Sequence, residues 1–218
     1  MQNKMYDYIF FDLDGTLTDP GMGITNSVAH ALTRFGITPP PREELYAFIG
    51  PPLKDSFARF YGMGEEDCTL AVKYYREYYS DKGIFENAVY DGIPELMTSA
   101  RERGKHIVLA TSKPDLFAEK ILCHFGLMKY FDFVAGAAMD ETRTKKDEVI
   151  AFALENLGLF DKTDRILMVG DRKHDILGAA AHGIDALGVT FGYGSEEELL
   201  SAGAKYIASR PDEILKFI

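Results

Sequence analysis

Two aspartates stand two residues apart in the run Tyr8-Ile9-Phe10-Phe11-Asp12-Leu13-Asp14-Gly15-Thr16-Leu17. The aromatic and β-branched residues before Asp12 read as a buried strand. Alternation along that strand would set both acids on one side of its C-terminal end. Close carboxylates repel unless a cation or a shared proton relieves them, so the pair invites a metal ion or acid–base chemistry. A second pair, Asp171 and Asp175, follows the apolar run Ile166–Val169. Asp175 is also accounted for as the N-cap of the next helix, whereas Asp171 has no comparable structural explanation. Thr111-Ser112-Lys113 follows the apolar run His106–Ala110. A hydroxyl and backbone N–H groups at a helix entrance can hold a phosphoryl group, although helix capping by Ser112 explains the same residues. Thr144-Lys145-Lys146-Asp147 opens a further helix. A lysine at the positive end of a helix favours an anionic partner, unless it is solvated surface.

The elements that must position these residues alternate. Short apolar runs at Tyr8–Phe11, His106–Ala110, Phe131–Ala135, Ile166–Val169 and Ala186–Val189 predict strands. Helical patterns over Pro94–Arg103, Pro114–Phe125, Lys146–Leu157 and Asp175–His182 lie between them, and Ser195 with Glu198 forms a capping box for one more. This rhythm predicts an α/β fold, a Rossmann-like parallel sheet covered on both faces. All four polar motifs then fall at the C-terminal edge of one sheet, where open α/β sheets place their ligands. Carboxylates, a hydroxyl and one or two ammoniums at that edge are the inventory of a magnesium phosphoryl-transfer site.

Residues 18–87 break the rhythm and predict an inserted α-helical cap domain, leaving residues 1–17 and 88–218 as the catalytic core. Its helical segments are Thr25–Phe35, Arg42–Ile49, Lys54–Phe60 and Glu66–Tyr79, separated by Pro- and Gly-rich turns. Tyr74, Tyr75, Tyr78 and Tyr79 fall in two adjacent rows at helical spacing and are expected to pack the insert. In a chain of 218 residues, 34 acidic against 24 basic side chains argue against nucleic acid or an anionic membrane as the partner. They leave room for a small phosphorylated metabolite, because a metal ion and lysines reverse the sign locally. Cys68 and Cys123 follow no disulfide or metal-binding spacing. With no readable signal peptide or membrane span, they point to a cytoplasmic protein.

Taken in order, Asp-Leu-Asp-Gly-Thr-Leu at 12–17, Thr111-Ser112, Lys146, and Gly170-Asp171 with Asp175 resemble the four motifs of the haloacid dehalogenase superfamily. The likeness spans nearly the whole chain, and within the superfamily it is greatest to the phosphoglycolate phosphatase-like branch. The chain departs from the better-known third motif, Lys-Pro, by carrying Lys145-Lys146-Asp147. Lys146 is preferred because it lies four residues before Ile150, at the base of a helix whose apolar residues turn inward; Lys145 is the alternative.

The resemblance implies that Asp12 is the nucleophile and that Asp14 is the acid and then the base. It implies Mg2+ held by the Asp12 carboxylate, the Asp14 backbone carbonyl and Asp171. Thr111, the Ser112 N–H and Lys146 would bind the phosphate, with Asp175 orienting Lys146 or a metal-bound water. Gly50-Pro51-Pro52-Leu53-Lys54 resembles the cap loop that selects substrate, so Gly50, Pro51 and Lys54 are specificity candidates; a rigid helix connector explains them equally. The expected activity is hydrolysis of a small phosphate monoester through an aspartyl-phosphate, in a monomer or homodimer. Its rivals are a phosphomutase, a 5'-nucleotidase or a pyrophosphatase of the same fold. A dehalogenase would lack Asp14, a phosphonate hydrolase would need a Schiff-base lysine such as Lys54, and a binding protein would not need the acids intact.

Overall fold

The aromatic run begins strand β1 (Tyr8–Phe11) of a computed structural model that describes residues 6–140 and 142–218. The chain then passes through the two-residue strand β2 (Thr18–Asp19) into helices α1 (Gly21–Arg34), α2 (Arg42–Leu45), α3 (Leu53–Tyr61) and α4 (Glu65–Tyr78). It returns through β3 (Ala88–Val89), which pairs with β2. From there α5 (Ile93–Glu102), β4 (His106–Pro114), α6 (Asp115–His124) and β5 (Phe133–Ala137) lead to α7 (Lys146–Leu157). The rest is β6 (Ile166–Gly170), α8 (Lys173–Ala180), β7 (Asp185–Val189), α9 (Glu196–Ser201), β8 (Tyr206–Ala208) and α10 (Pro211–Ile214).

Six strands form a parallel sheet in the order β5-β4-β1-β6-β7-β8, a Rossmann-like α/β arrangement. β1 lies inside it, paired with β4 on one side and β6 on the other. Its residues Ile9, Phe10 and Phe11 are fully buried, which is why the run carries no polar alternation. Phe10, Val108, Ala110 and Met168 share a core with Val149, Ile150, Ala153 and Leu154 of α7 and Ile176 and Ala179 of α8. Ile93, Leu96, Met97 and Ala100 of α5 are buried as well, and α5 packs on β4 and α10. β8 was not foreseen: three residues, Tyr206–Ala208, are too short a run to stand out as a strand.

The chain divides into two compact units, residues 1–18 with 89–218 and residues 19–88. In the smaller unit α4 packs on α1 and α3. Gly23 lies so close to the π-turn at Tyr79–Gly83 that a Cβ on it would sit 1.9 Å from the Gly83 carbonyl oxygen. Tyr75 and Tyr79 are buried and stacked, Tyr74 packs edge-on against Phe35, and the Tyr78 hydroxyl donates to Glu86. The tyrosine rows therefore pack this unit. Among the described residues no helix is long and apolar enough to cross a membrane.

Candidate active site

The site grows from the end of β1. The ladder continues one residue past the strand, with the Asp12 N–H donating to the Val169 carbonyl, and this holds Asp12 in the plane of the sheet. The chain then curls. The N–H groups of Thr16, Leu17 and Thr18 all converge on the Leu13 carbonyl. Gly15 adopts φ +83°, and a Cβ there would sit 2.1 Å from Asp171 Oδ2. Only glycine fits such a turn against such a neighbour. Because β1 ends at Phe11, the two acids are not arranged by strand alternation: each meets a different ammonium.

Asp12 Oδ1 lies 2.8 Å from the Lys146 ammonium, which is also 2.7 Å from Asp175 Oδ1 and donates to the Ala110 carbonyl at 2.9 Å. An ammonium has three protons, and these three acceptors can take them all. Lys146 is the first residue of α7 and is buried, whereas Lys145 is exposed, so the structure brings Lys146 to the acids. Asp14 Oδ2 instead meets the Lys113 ammonium at 2.5 Å. Lys113 reaches it from an irregular stretch of β4: the β4–β5 register runs evenly to Ala110 and shifts before Pro114. Such an irregularity re-aims side chains at the end of a strand. Thr111, buried in the same stretch, accepts the Lys113 backbone N–H through its hydroxyl, and Ser112 is half-buried beside it.

The second acidic pair follows β6. Asp171 is fully buried and accepts the Tyr193 N–H at 2.8 Å through Oδ2. A Cβ on Gly192 would lie 2.2 Å from the Gly15 carbonyl and 2.5 Å from Asp171 Cβ, so the 191–194 segment is pressed onto the site. Asp175 is not the N-cap expected for α8; Arg172 is. The helix starts two residues earlier than its apolar pattern suggests. Asp175 therefore sits in the first turn, where Oδ2 accepts the Arg172 N–H and Oδ1 faces Lys146.

Carboxylate oxygens of Asp12, Asp171 and Asp175 lie within 4.8 Å of one another. The Asp14 side chain stands outside this trio. Burial, then repulsion from Asp175 and Asp12, holds Asp171 well above the usual carboxylate range. Burial also lifts Asp175 to about 6, against the pull of Lys146. Burial raises Asp14 too, with Lys113 opposing it. Burial works against the charge on Lys146, but Asp12 and Asp175 outweigh it and its pKa is raised. Three acids thus share two ammoniums, Asp171 adds a fourth carboxyl beside them, and Asp14 Oδ1 is buried without a hydrogen-bond partner. A divalent cation fits this set: the donors are hard oxygens, and their negative charge exceeds the local positive charge.

Residues 9–189 match the model of the haloacid dehalogenase-like hydrolases. The chain belongs to this family. This haloacid dehalogenase-like hydrolase is 47% identical over 194 residues to a 5'-nucleotidase of Pseudomonas aeruginosa, covering 89% of the chain and 87% of the relative. It is 42% identical over 186 residues to a tyrosine-protein kinase, PtkA, of Mycobacterium tuberculosis, covering 85% of the chain but only 62% of that protein. The crystal structure of a predicted phosphatase from Clostridium acetobutylicum superposes with a TM-score of 0.94 at 47% identity, covering 97% of each chain. More distant relatives include phosphoglycolate phosphatases. The hydrolase is a phosphatase, acting on phosphate monoesters.

Gly50, Pro51 and Lys54 belong to the smaller unit of this hydrolase, in the turn before α3 and in its first helical turn, while the acidic cluster lies wholly in the larger. Sequence reasoning missed two contributors. Lys113 was passed over as part of a helix entrance; its signal was a lysine immediately beyond a hydroxyl pair at a strand's end. Gly192-Tyr193-Gly194 was unassigned, although two glycines flanking an aromatic residue after β7 mark a backbone that approaches something closely.

Proposed function

We propose that the chain is a magnesium-dependent phosphatase that hydrolyses a small phosphate monoester through a phosphorylated Asp12. The single observation that carries this reading is the buried ammonium of Lys146 fixed 2.8 Å from Asp12, beside two further buried carboxylates. Asp12 is then the nucleophile, its repulsion from the incoming phosphate offset by a cation that three acceptors hold in place. Asp14, whose carboxyl is raised by burial, gives a proton to the departing oxygen and later takes one from the water that attacks the aspartyl-phosphate. Thr111 and the Ser112 N–H hold the non-reacting phosphate oxygens. Asp12, Asp171 and the Asp14 carbonyl would hold Mg2+, with Asp175 keeping Lys146 in place. Bound there, the ion supplies positive charge opposite the phosphate oxygens.

Residues 19–88 act in this reading as a cap that excludes water and selects the leaving group, with Gly50, Pro51 and Lys54 on its specificity loop. Nucleoside 5'-monophosphates are the first substrates to test, because the relative at 47% identity is a 5'-nucleotidase; phosphoglycolate is second. The test is phosphate release from a panel of phosphorylated metabolites with Mg2+ and with EDTA. Metal-dependent release that disappears in Asp12→Asn is expected. Release unaffected by EDTA, or undiminished in that variant, overturns the proposal.

A further inference from the structure

Building on the role proposed for Asp14, we infer that Lys113 is a positioning residue that pins the Asp14 carboxyl by one oxygen and leaves the other for the transferred proton. Lys113 is 8% exposed, and its ammonium is 2.5 Å from Asp14 Oδ2. Asp14 Oδ1, in contrast, is buried with no hydrogen-bond partner. A carboxyl held at neither oxygen rotates about its terminal torsion, which is broad and roughly two-fold. An ammonium bonded to Oδ2 removes that freedom and makes the two oxygens inequivalent.

The proton inventory follows from that asymmetry. As the bond from Asp12 to phosphorus forms and the bond from phosphorus to the leaving oxygen breaks, the electron pair of the broken bond goes to the leaving oxygen. That oxygen takes the proton from Asp14 Oδ1, and Asp14 is left a carboxylate opposite Lys113. The ion pair is thus strongest after the proton has gone, when a cation beside Asp14 is most useful. The irregular register of β4 between Ala110 and Pro114 is what brings the lysine to this position. A regular strand would alternate Lys113 with its neighbours across the sheet faces.

Positioning makes a prediction that simple support of the fold does not. Departure of an alkoxide needs the proton; departure of p-nitrophenolate does not. The value of kcat/KM should be measured for the full chain, Asp14→Asn, Lys113→Met, Lys113→Gln and Lys113→Arg against phosphate esters from p-nitrophenyl to unactivated alkyl. General acid help is worth about 10²- to 10⁴-fold, so Lys113→Met should lose about 10²-fold on the alkyl ester and little on p-nitrophenyl phosphate. Lys113→Arg should recover most of the alkyl activity. Should Lys113→Met fail to fold, Lys113→Gln, neutral but still an N–H donor, carries the same comparison. An equal loss on every ester in the lysine variants, while Asp14→Asn discriminates among them, overturns the positioning role alone. An Asp14→Asn enzyme that does not discriminate overturns the acid role of Asp14 and the inference with it.

Discussion

The two ends of the parallel sheet use the same kinds of side chain to opposite effect. At the N-terminal ends of the strands three acids have a cation apiece. Asp185 pairs with Lys205 at 2.7 Å and accepts the Tyr6 hydroxyl; Asp132 pairs with Arg101 at 2.7 Å; Asp7 pairs with Arg165. Although partial burial works against it, Asp132 is held below the usual carboxylate range by Arg101, the Ile107 N–H and His106. At the C-terminal ends, Asp14 pairs with Lys113, Asp12 and Asp175 share Lys146, Asp171 is held by the Tyr193 N–H, and three of the four are raised. Balanced pairs hold a sheet edge together. An unbalanced cluster is strained by its own charge until something else arrives, and that marks the working end.

The contrast can be broken most severely at Asp12. Asp12→Asn should lower kcat by about 10⁴-fold or more, as removal of a nucleophile does, without unfolding the chain, checked by phosphate release and thermal denaturation. Next is Lys146→Met, which strands Asp12 and Asp175 in the interior; a loss of about 3–5 kcal/mol in denaturant-measured stability is expected. Gly192→Ala should cost about 1–3 kcal/mol by overpacking against Gly15 and Asp171, and it should weaken activation by Mg2+ because Asp171 must shift.

A pH titration sharpens the comparison further. A carboxyl raised in the folded state binds protons there more tightly than in the unfolded chain, so its stabilisation is lost as pH rises. For Asp175 that window runs from 3.8 to about 6. The EDTA-treated protein should therefore lose thermal stability across it, and Mg2+ should restore the loss; a shallower profile in Asp175→Asn confirms its share, the remaining slope belonging to Asp14 and Asp171. The smallest effect belongs to the balanced end: Asp185→Asn should cost about 1 kcal/mol with kcat unchanged.

Much of this was legible in the sequence because the strands are buried on both faces and read as uninterrupted apolar runs. Lys146–Leu157 was read with its true ends, since its inward residues Val149, Ile150, Ala153 and Leu154 repeat at helical spacing. What stayed hidden depends on backbone irregularity. Lys113 reaches Asp14 only because β4 loses register after Ala110, and no propensity encodes that shift. The 191–194 segment touches Asp171 across more than 20 residues of chain, a contact that residue types alone do not announce. Asp175 shows the opposite case: its type suited an N-cap, but α8 starts two residues earlier and freed it to hold Lys146.

The register of β1 also sets a timetable. Tyr8 pairs with His106 on one side and Ile166 on the other, so β1 cannot complete its pairing until β4 and then β6 have been made. During synthesis Asp12 waits without its counter-charge until Lys146 at the start of α7 has emerged. A chain stopped before β4 therefore leaves an aromatic strand unpaired, and such strands are aggregation hazards.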